Sequence, residues 1–315
     1  MDNKWYYDEA PGALPDLRTH AKDITTLIPF WYGVKSDGTL ADMSSQEVKN
    51  IAFQNNLPIY AIIHNYSDPK KSQLIHDLLS STSLRHVLIN SIRDTALYNN
   101  YPGINIDFEF VPPENRNNLN SFMQELYSTL KNEGKTVTIS LPAELKDNPY
   151  HPFSGAFQYS VIGQYTDQAY ILAYDEHFSQ PGPIASIDFV KNVLNYAVTV
   201  IPSYKIWLGT AVYGYDWTEG VNFPRTLSYQ QAIELARNLG ATILYDEAAQ
   251  ESTFTYTIDN TKHIVWFEDK RSFASKIPLL HQFNLSGVAV WRLGQEDPGI
   301  WDIIGTRGQV SCHTQ

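Results

Sequence analysis

The 315-residue chain predicts an α/β fold, a (β/α)8 (TIM) barrel with a small α+β insertion before the last strand, and three observations carry that reading. Short β-prone apolar runs recur along the sequence, stretches of helical periodicity separate them, and the runs number eight, the strand count of a closed parallel barrel. They lie at 4–7, 24–31, 57–64, 104–110, 136–141, 169–174, 206–213 and 287–291. The count decides for the barrel against an open doubly wound sheet.

The connections carry helix punctuation. Ser44-Ser45-Gln46-Glu47 has the spacing of a capping box and is followed by Val48, Ile51 and Ala52 on one face. After Pro113, the residues Leu119, Phe122, Met123, Leu126 and Leu130 recur at intervals of three and four, as in a helix packed on a sheet, and Gly134 follows where a C-terminal glycine belongs. One connection is out of proportion: about fifty residues between Trp217 and Glu268 stand where a barrel normally has a loop and one helix. Within it Ser228-Tyr229-Gln230-Gln231 opens a helix bearing Ala232, Leu235, Ala236 and Leu239, Gly240 closes it, and β-prone stretches follow at 253–258 and 263–267. The expected division is a catalytic barrel over 1–216 and 269–315 and an insertion over 217–268.

Composition excludes several function classes. A formal net charge of -11 opposes a nucleic-acid binder, whose affinity rests on cationic contacts to phosphate. Cys312 is the only cysteine, so neither an intramolecular disulfide nor a zinc site of paired cysteines can form. The histidines show no H-E-x-x-H or carboxylate spacing, and no glycine-rich phosphate loop or G-x-S-x-G elbow occurs, so no metal or other cofactor is expected. No stretch reaches the roughly 18 apolar residues of a membrane span. Met1 to Asp8 lacks the basic and apolar regions of a secretory leader, a start compatible with a removed leader or with wall-binding repeats upstream. Tryptophans and tyrosines are dense, and such rings stack on sugar faces as well as filling cores.

The chemistry concentrates in the fourth run. In Gly103-Ile104-Asn105-Ile106-Asp107-Phe108-Glu109-Phe110 the polar residues occupy alternate positions, so Asn105, Asp107 and Glu109 share one face of a strand and the apolar residues the other. In an exposed sheet this pattern means only a wet face and a dry face. In a barrel the apolar face turns to the helices, which leaves two carboxylates in the lumen near the C-terminal rim, where barrel enzymes do their chemistry. Two such carboxylates push each other's pKa values apart, which is how a glutamate becomes a general acid.

Four segments in order along the chain resemble glycoside hydrolase family 18. Gly103 to Glu109 is similar to the D-G-x-D-x-D-x-E signature of that family, Leu172-Ala173-Tyr174-Asp175 to its M-x-Y-D motif, Gly209 to Gly214 to its G-x-P-x-Y-G strand, and Gly287-Val288-Ala289-Val290-Trp291 to its last strand. Val111-Pro112-Pro113-Glu114 and Leu208 to Trp217 look most like the spore-germination, cortical-fragment-lytic branch of N-acetylglucosaminidases, which act on spore-cortex peptidoglycan. The resemblance implies a retaining enzyme without a protein nucleophile, in which the 2-acetamido oxygen of the substrate attacks the anomeric carbon. Glu109 would be the acid/base, Asp107 would orient the acetamido group and stabilise its positive charge, and Tyr174 would hold the acetamido oxygen. Asp175, Trp291 and Tyr213 would line the sugar site, with Asn105 and Asn65 as further substrate-binding candidates.

The sequence departs from the signature at Pro102 and Asn105, which replace its first two aspartates, and Asn105 is expected to hydrogen-bond Asp107 in place of a carboxylate partner. Leu172 replaces the methionine, and Tyr215 stands where chitinases often carry arginine. Trp31 and Tyr32 end the second run and read as lining the sugar groove or, as is commoner for rim aromatics, as packing; Trp207 and Trp266 read as core; and His64, at the end of the third run, reads equally as touching substrate or as orienting a neighbour by a hydrogen bond. The resemblance implies polysaccharide or peptidoglycan fragments as partners, a monomer, and a secreted or spore-associated protein of the cell wall. Two alternatives stay open: a lectin of the same fold, against which Glu109 argues, and a hydrolase of chitin or chitooligosaccharides.

Overall fold

The computed structural model describes residues 12–307 apart from 67 and 69. Two compact units divide it: Ile24–Leu172 with Asn195–Trp207 form one, and Ala173–Leu194, the described residues from Leu208 onward and the described N-terminal residues up to Asp23 form the other. Parallel strands alternate with helices, the pattern of the (β/α)8 class.

The first unit carries β1 (Phe30–Val34), β2 (Leu40–Asp42), β3 (Tyr60–His64), β4 (Gly103–Asp107), β5 (Thr136–Pro142) and β6 (Gln168–Leu172), in the spatial order β2-β1-β3-β4-β5-β6. All pairings are parallel except that of β2 with β1. The register sets His64 of β3 beside Asp107 of β4, and Asn105 beside Thr138 of β5. Outside β4 lies the helix Arg116–Asn132, whose predicted stripe of Leu119, Phe122, Met123, Leu126 and Leu130 is fully buried. Phe108 tilts against Phe122 at 5.4 Å, so the apolar face of the carboxylate strand meets this helix. Each such side chain contributes about 1.5–3 kcal/mol by leaving water. Gly103 at the start of β4 has a steric reason: a Cβ there would meet the Tyr60 ring at 2.8 Å.

The second unit holds most of β7 (Ile206–Ala211), then β8 (Tyr213–Thr218), β9 (Arg225–Ser228), β10 (Leu244–Asp246), β11 (Glu251–Ile258), β12 (Thr261–Phe267) and β13 (Gly287–Trp291). β13 neighbours β7, while the other five form an antiparallel sheet ordered β10-β11-β12-β8-β9. The helix Tyr229–Leu239 starts with the capping box expected of Ser228 and Gln231 and ends at Gly240 with φ 63°. Its Ala232 and Ala236 pack with Leu227, Phe254, Val265 and Phe267 into a core belonging to this sheet alone.

Differences from the sequence expectation have local causes. The run at 4–7 lies outside the described residues. The second run begins as a strand only at Phe30, because Pro29 has no N–H for a ladder and Leu27 makes an isolated bridge to Ile59, and it continues to Val34. The fourth ends at Asp107, since Phe110 takes φ 53° and leaves the extended region. The seventh breaks at Val212, whose N–H donates to the Trp291 carbonyl, so the antiparallel sheet starts at Tyr213 rather than after Trp217. Ser45, not Ser44, caps the helix Gln46–Gln54, accepting from Val48 N at 3.3 Å, which leaves Glu47 out of register for the expected box. Trp207 and Trp266 are half-buried rather than core. Among the described residues no helix is long and apolar enough to cross a membrane.

Candidate active site

In the first unit the end of β4 brings Asn105, Asp107 and Glu109 together with residues of β5 and of the turn after β3. Asp107 is 7 % exposed, and burial pushes its carboxyl up to about 6, against a hydrogen bond from Ser140 that favours ionisation. Asn105 donates to Ser140 Oγ at 3.0 Å and accepts from Thr138 Oγ1 at 2.9 Å. The expected amide contact to Asp107 is therefore replaced by a relay through the Ser140 hydroxyl, and Asn105, 1 % exposed, sits in a buried network on β5. Thr138 and Ser140 alternate with Val137, Ile139 and Leu141, the same period-two signal that marks β4, so the sequence did carry a sign of them.

Glu109 lies just past the strand and is half-buried; its Oε2 accepts from the Tyr66 hydroxyl at 2.8 Å. Its backbone is held by Asn65, which accepts from Glu109 N at 2.9 Å, donates to Glu109 O at 2.7 Å and also donates to Lys71 O at 3.2 Å. Asn65 is fully buried and fixes the Glu109 backbone from behind. His64 accepts from Tyr66 N and stacks on Phe30, with burial lowering its pKa to about 3, so it orients its neighbour as a neutral ring. Tyr66 and Lys71 had no periodic signal in the sequence, because they occupy a turn and a helix start whose course only the fold reveals.

In the second unit Tyr174, Tyr213 and Trp291 form part of one aromatic cluster with Tyr215 and Trp217, and Asp175 joins it through hydrogen bonds from Tyr213 and Tyr215. Asp175 adopts φ 57°, a left-handed conformation that aspartate tolerates better than most residues. Exposed as a residue, it nevertheless turns one carboxyl oxygen onto two buried phenols, accepting from Tyr213 and, at 2.7 Å, from Tyr215. Desolvation raises the Asp175 pKa against those two hydrogen bonds. The Tyr174 ring meets Tyr213 edge-on at 6.4 Å. Tyr215, noted in the sequence only as a departure from arginine, is here a direct partner of Asp175.

The segment carrying Tyr174 and Asp175 is pinned at several points. Glu176 accepts from Ser186 N at 2.8 Å, and Trp217 Nε1 donates to Phe178 O at 2.9 Å. Glu251 of β11 accepts from the N–H groups of Ile184 at 2.7 Å and Ala185 at 3.0 Å. Glu251 is fully buried, and its pKa is pushed up to about 8 by desolvation and then by Glu268, which itself pairs with Lys276 at 2.6 Å.

The profile of the glycosyl hydrolases family 18 matches residues 4–296. The chain belongs to family 18. It is a glycosidase of that family, with its (β/α)8 fold. The cortical fragment-lytic enzyme of Bacillus subtilis (strain 168) is 31% identical over 295 residues, which cover 91% of this chain and 68% of the relative. Among solved structures, the spore cortex-lytic enzyme SleL of Bacillus megaterium QM B1551 superimposes with a TM-score of 0.85 at 30% identity, covering 92% of this chain and 68% of that one. A chitinase from Chromobacterium violaceum ATCC 12472 gives a TM-score of 0.87 at 27% identity, covering 97% and 98%.

Proposed function

We propose that this family 18 glycosidase is a retaining N-acetylglucosaminidase that cleaves β-linked N-acetylglucosamine in peptidoglycan of the spore cortex, by substrate-assisted catalysis through the 2-acetamido group. The observation that carries the reading is the end of β4: a buried Asp107 and, two residues on, a half-buried Glu109 whose carboxyl accepts from Tyr66 and whose backbone is clamped by Asn65. The relatives' names, cortical fragment-lytic and spore cortex-lytic, direct the choice of glycan.

Glu109 delivers its proton to the glycosidic oxygen as the bond to the anomeric carbon breaks, while the acetamido oxygen forms the new bond at that carbon. The resulting oxazolinium carries positive charge beside Asp107, which stabilises it as a carboxylate. Glu109 then takes a proton from the water that opens the ring, restoring the acid. Tyr174 holds the acetamido oxygen, Trp291 lies under the reacting sugar, and Tyr213 and Asp175 shape the wall. Asn105 and Asn65 act by positioning the acid strand. The protein works as a monomer, secreted or spore-associated.

The test is release of reducing ends from purified cortex fragments, with chitin oligomers alongside and Glu109→Gln as control. Cleavage of cortex in preference to chitin, lowered on the order of a hundredfold or more by the substitution, is the expected result. Binding without cleavage on every glycan points to the lectin instead, and cleavage of chitin alone to a chitinase.

A further inference from the structure

Beside the acid stands a cation that the reaction above does not use. Lys71 Nζ lies 3.8 Å from the centroid of the Tyr66 ring and 4.4 Å from that of Phe110. Both rings belong to the surroundings of Glu109: Tyr66 donates to its carboxyl, and Phe110 follows it in the chain. Asn65 binds the Lys71 carbonyl and the Glu109 backbone with the same amide, so the cation is fixed to the acid through the main chain as well. Glu109 acts on the Lys71 ammonium through space and favours its charged form, against the desolvation that opposes it.

The two rings hold the ammonium by cation–π contact, but helix electrostatics oppose it. Lys71 is the first residue of the helix Lys71–Ser80, where a positive charge opposes the helix dipole, and no acidic residue in that first turn offsets it. An ammonium near a general acid also favours the ionised form of that acid, which is the wrong form for protonating a leaving oxygen. An anion carried by the substrate would offset both penalties. Part of these surroundings is open to solvent. Phe110, in its unfavourable left-handed conformation, is 39 % exposed, and it meets Phe153, 38 % exposed, edge-on at 5.2 Å. Glu109 thus separates a buried Asp107 from a half-exposed patch of two aromatic rings and one cation.

In the proposed reaction the reacting sugar lies over Asp107 and the leaving sugar beyond Glu109. The leaving sugar of peptidoglycan, when the bond after N-acetylglucosamine breaks, is of the muramic type and bears a lactyl ether. We propose that Lys71, presented on Tyr66 and Phe110, recognises a carboxylate on this leaving sugar and so selects acidic glycans over neutral ones. The carboxylate is either that of the free lactyl group or that of a single amino acid attached to it. The inference rests on the peptidoglycan reading for its ligand, but its test does not need turnover.

Calorimetry on the full chain carrying Glu109→Gln, with and without Lys71→Met, would compare three ligands of equal length: chitooligosaccharide, peptidoglycan fragment with free lactyl groups, and fragment with single alanine substituents. The ratio of affinities, acidic over neutral, is expected to exceed one, to fall on the order of tenfold with Lys71→Met, and to return with Lys71→Arg. It should also decline with added salt. Loss confined to one of the two acidic fragments identifies the source of the carboxylate. A ratio unchanged by Lys71→Met, or a loss that Lys71→Arg does not restore, overturns the proposal. Charge-dependent binding in a protein whose Glu109 form cleaves no cortex would instead sink the hydrolase reading while leaving the cation site standing.

Discussion

At the scale of single residues, the proposed chemistry turns on how Asp107 is kept ready to ionise. Burial lifts its carboxyl to about 6, and the Ser140 hydroxyl pulls the other way. Because the proposed role needs the carboxylate, kcat/KM is expected to fall as pH drops through about 6. Ser140→Ala removes the hydrogen bond that favours the charged form, so the acidic limb should move to higher pH, while the activity plateau changes less. A limb that stays in place would remove Ser140 from the control of Asp107, and the pH profile of kcat/KM for both proteins decides it. The alternation along 103–110 already placed Asn105, Asp107 and Glu109 on one face. It could not show that Ser140 mediates between Asn105 and Asp107, because strand neighbours are set by register, and register joins residues some thirty-five positions apart. Tyr66 and Lys71 were illegible for a related reason: a turn residue has no period to betray which way its side chain faces.

At the scale of elements, the segment from Ala173 to Ile187 illustrates how a strand end is held by something distant in sequence. Two of its amides end on one carboxyl group from β11, and without that acceptor two buried N–H groups would stand unpaired, at about 1–3 kcal/mol each. Glu251→Ala should therefore speed hydrogen exchange at Ile184 and Ala185 on the order of tenfold or more and lower kcat, with exchange in β4 unaffected. Exchange mass spectrometry reads this directly, and unaltered protection of the segment would show that its other anchors suffice. The sequence predicted the parts of this arrangement well where local chemistry decides: the Ser228 cap, the Gly240 stop and the stripe from Leu119 to Leu130 all formed as written. It misplaced the start of the strand at Phe30 and the break at Val212, where a single proline and a single long-range hydrogen bond outweighed β-propensity.

For the whole molecule, the buried carboxyls set how stability responds to pH. Glu251 is pushed up to about 8, as is Glu144; for Glu144 burial is the main cause, a hydrogen bond from Ser154 and the charge of Arg116 offset it, and Asp147 adds to it. Both folded values lie above the usual 4.5, so the native state holds protons that the unfolded chain releases. Their stabilisation is complete below about 4.5 and is lost as pH rises through about 8. Tm is expected to decline between pH 6 and 9 by this route, and Glu144→Gln, which keeps the shape without the titration, should flatten the decline. An equally steep decline in that variant, measured by calorimetry, would assign the effect elsewhere. The fold class was readable at this scale from the strand count and the spacing of helices, whereas buried acids were not, since nothing in composition distinguishes a carboxyl that leaves water from one that stays in it. The carboxyl group that β11 lends to the segment after β6 has a bearing on protein engineering and on descent. The inserted sheet cannot be trimmed or exchanged as a module without leaving those two amides unpaired, and any lineage that shortened it had first to find another acceptor for them.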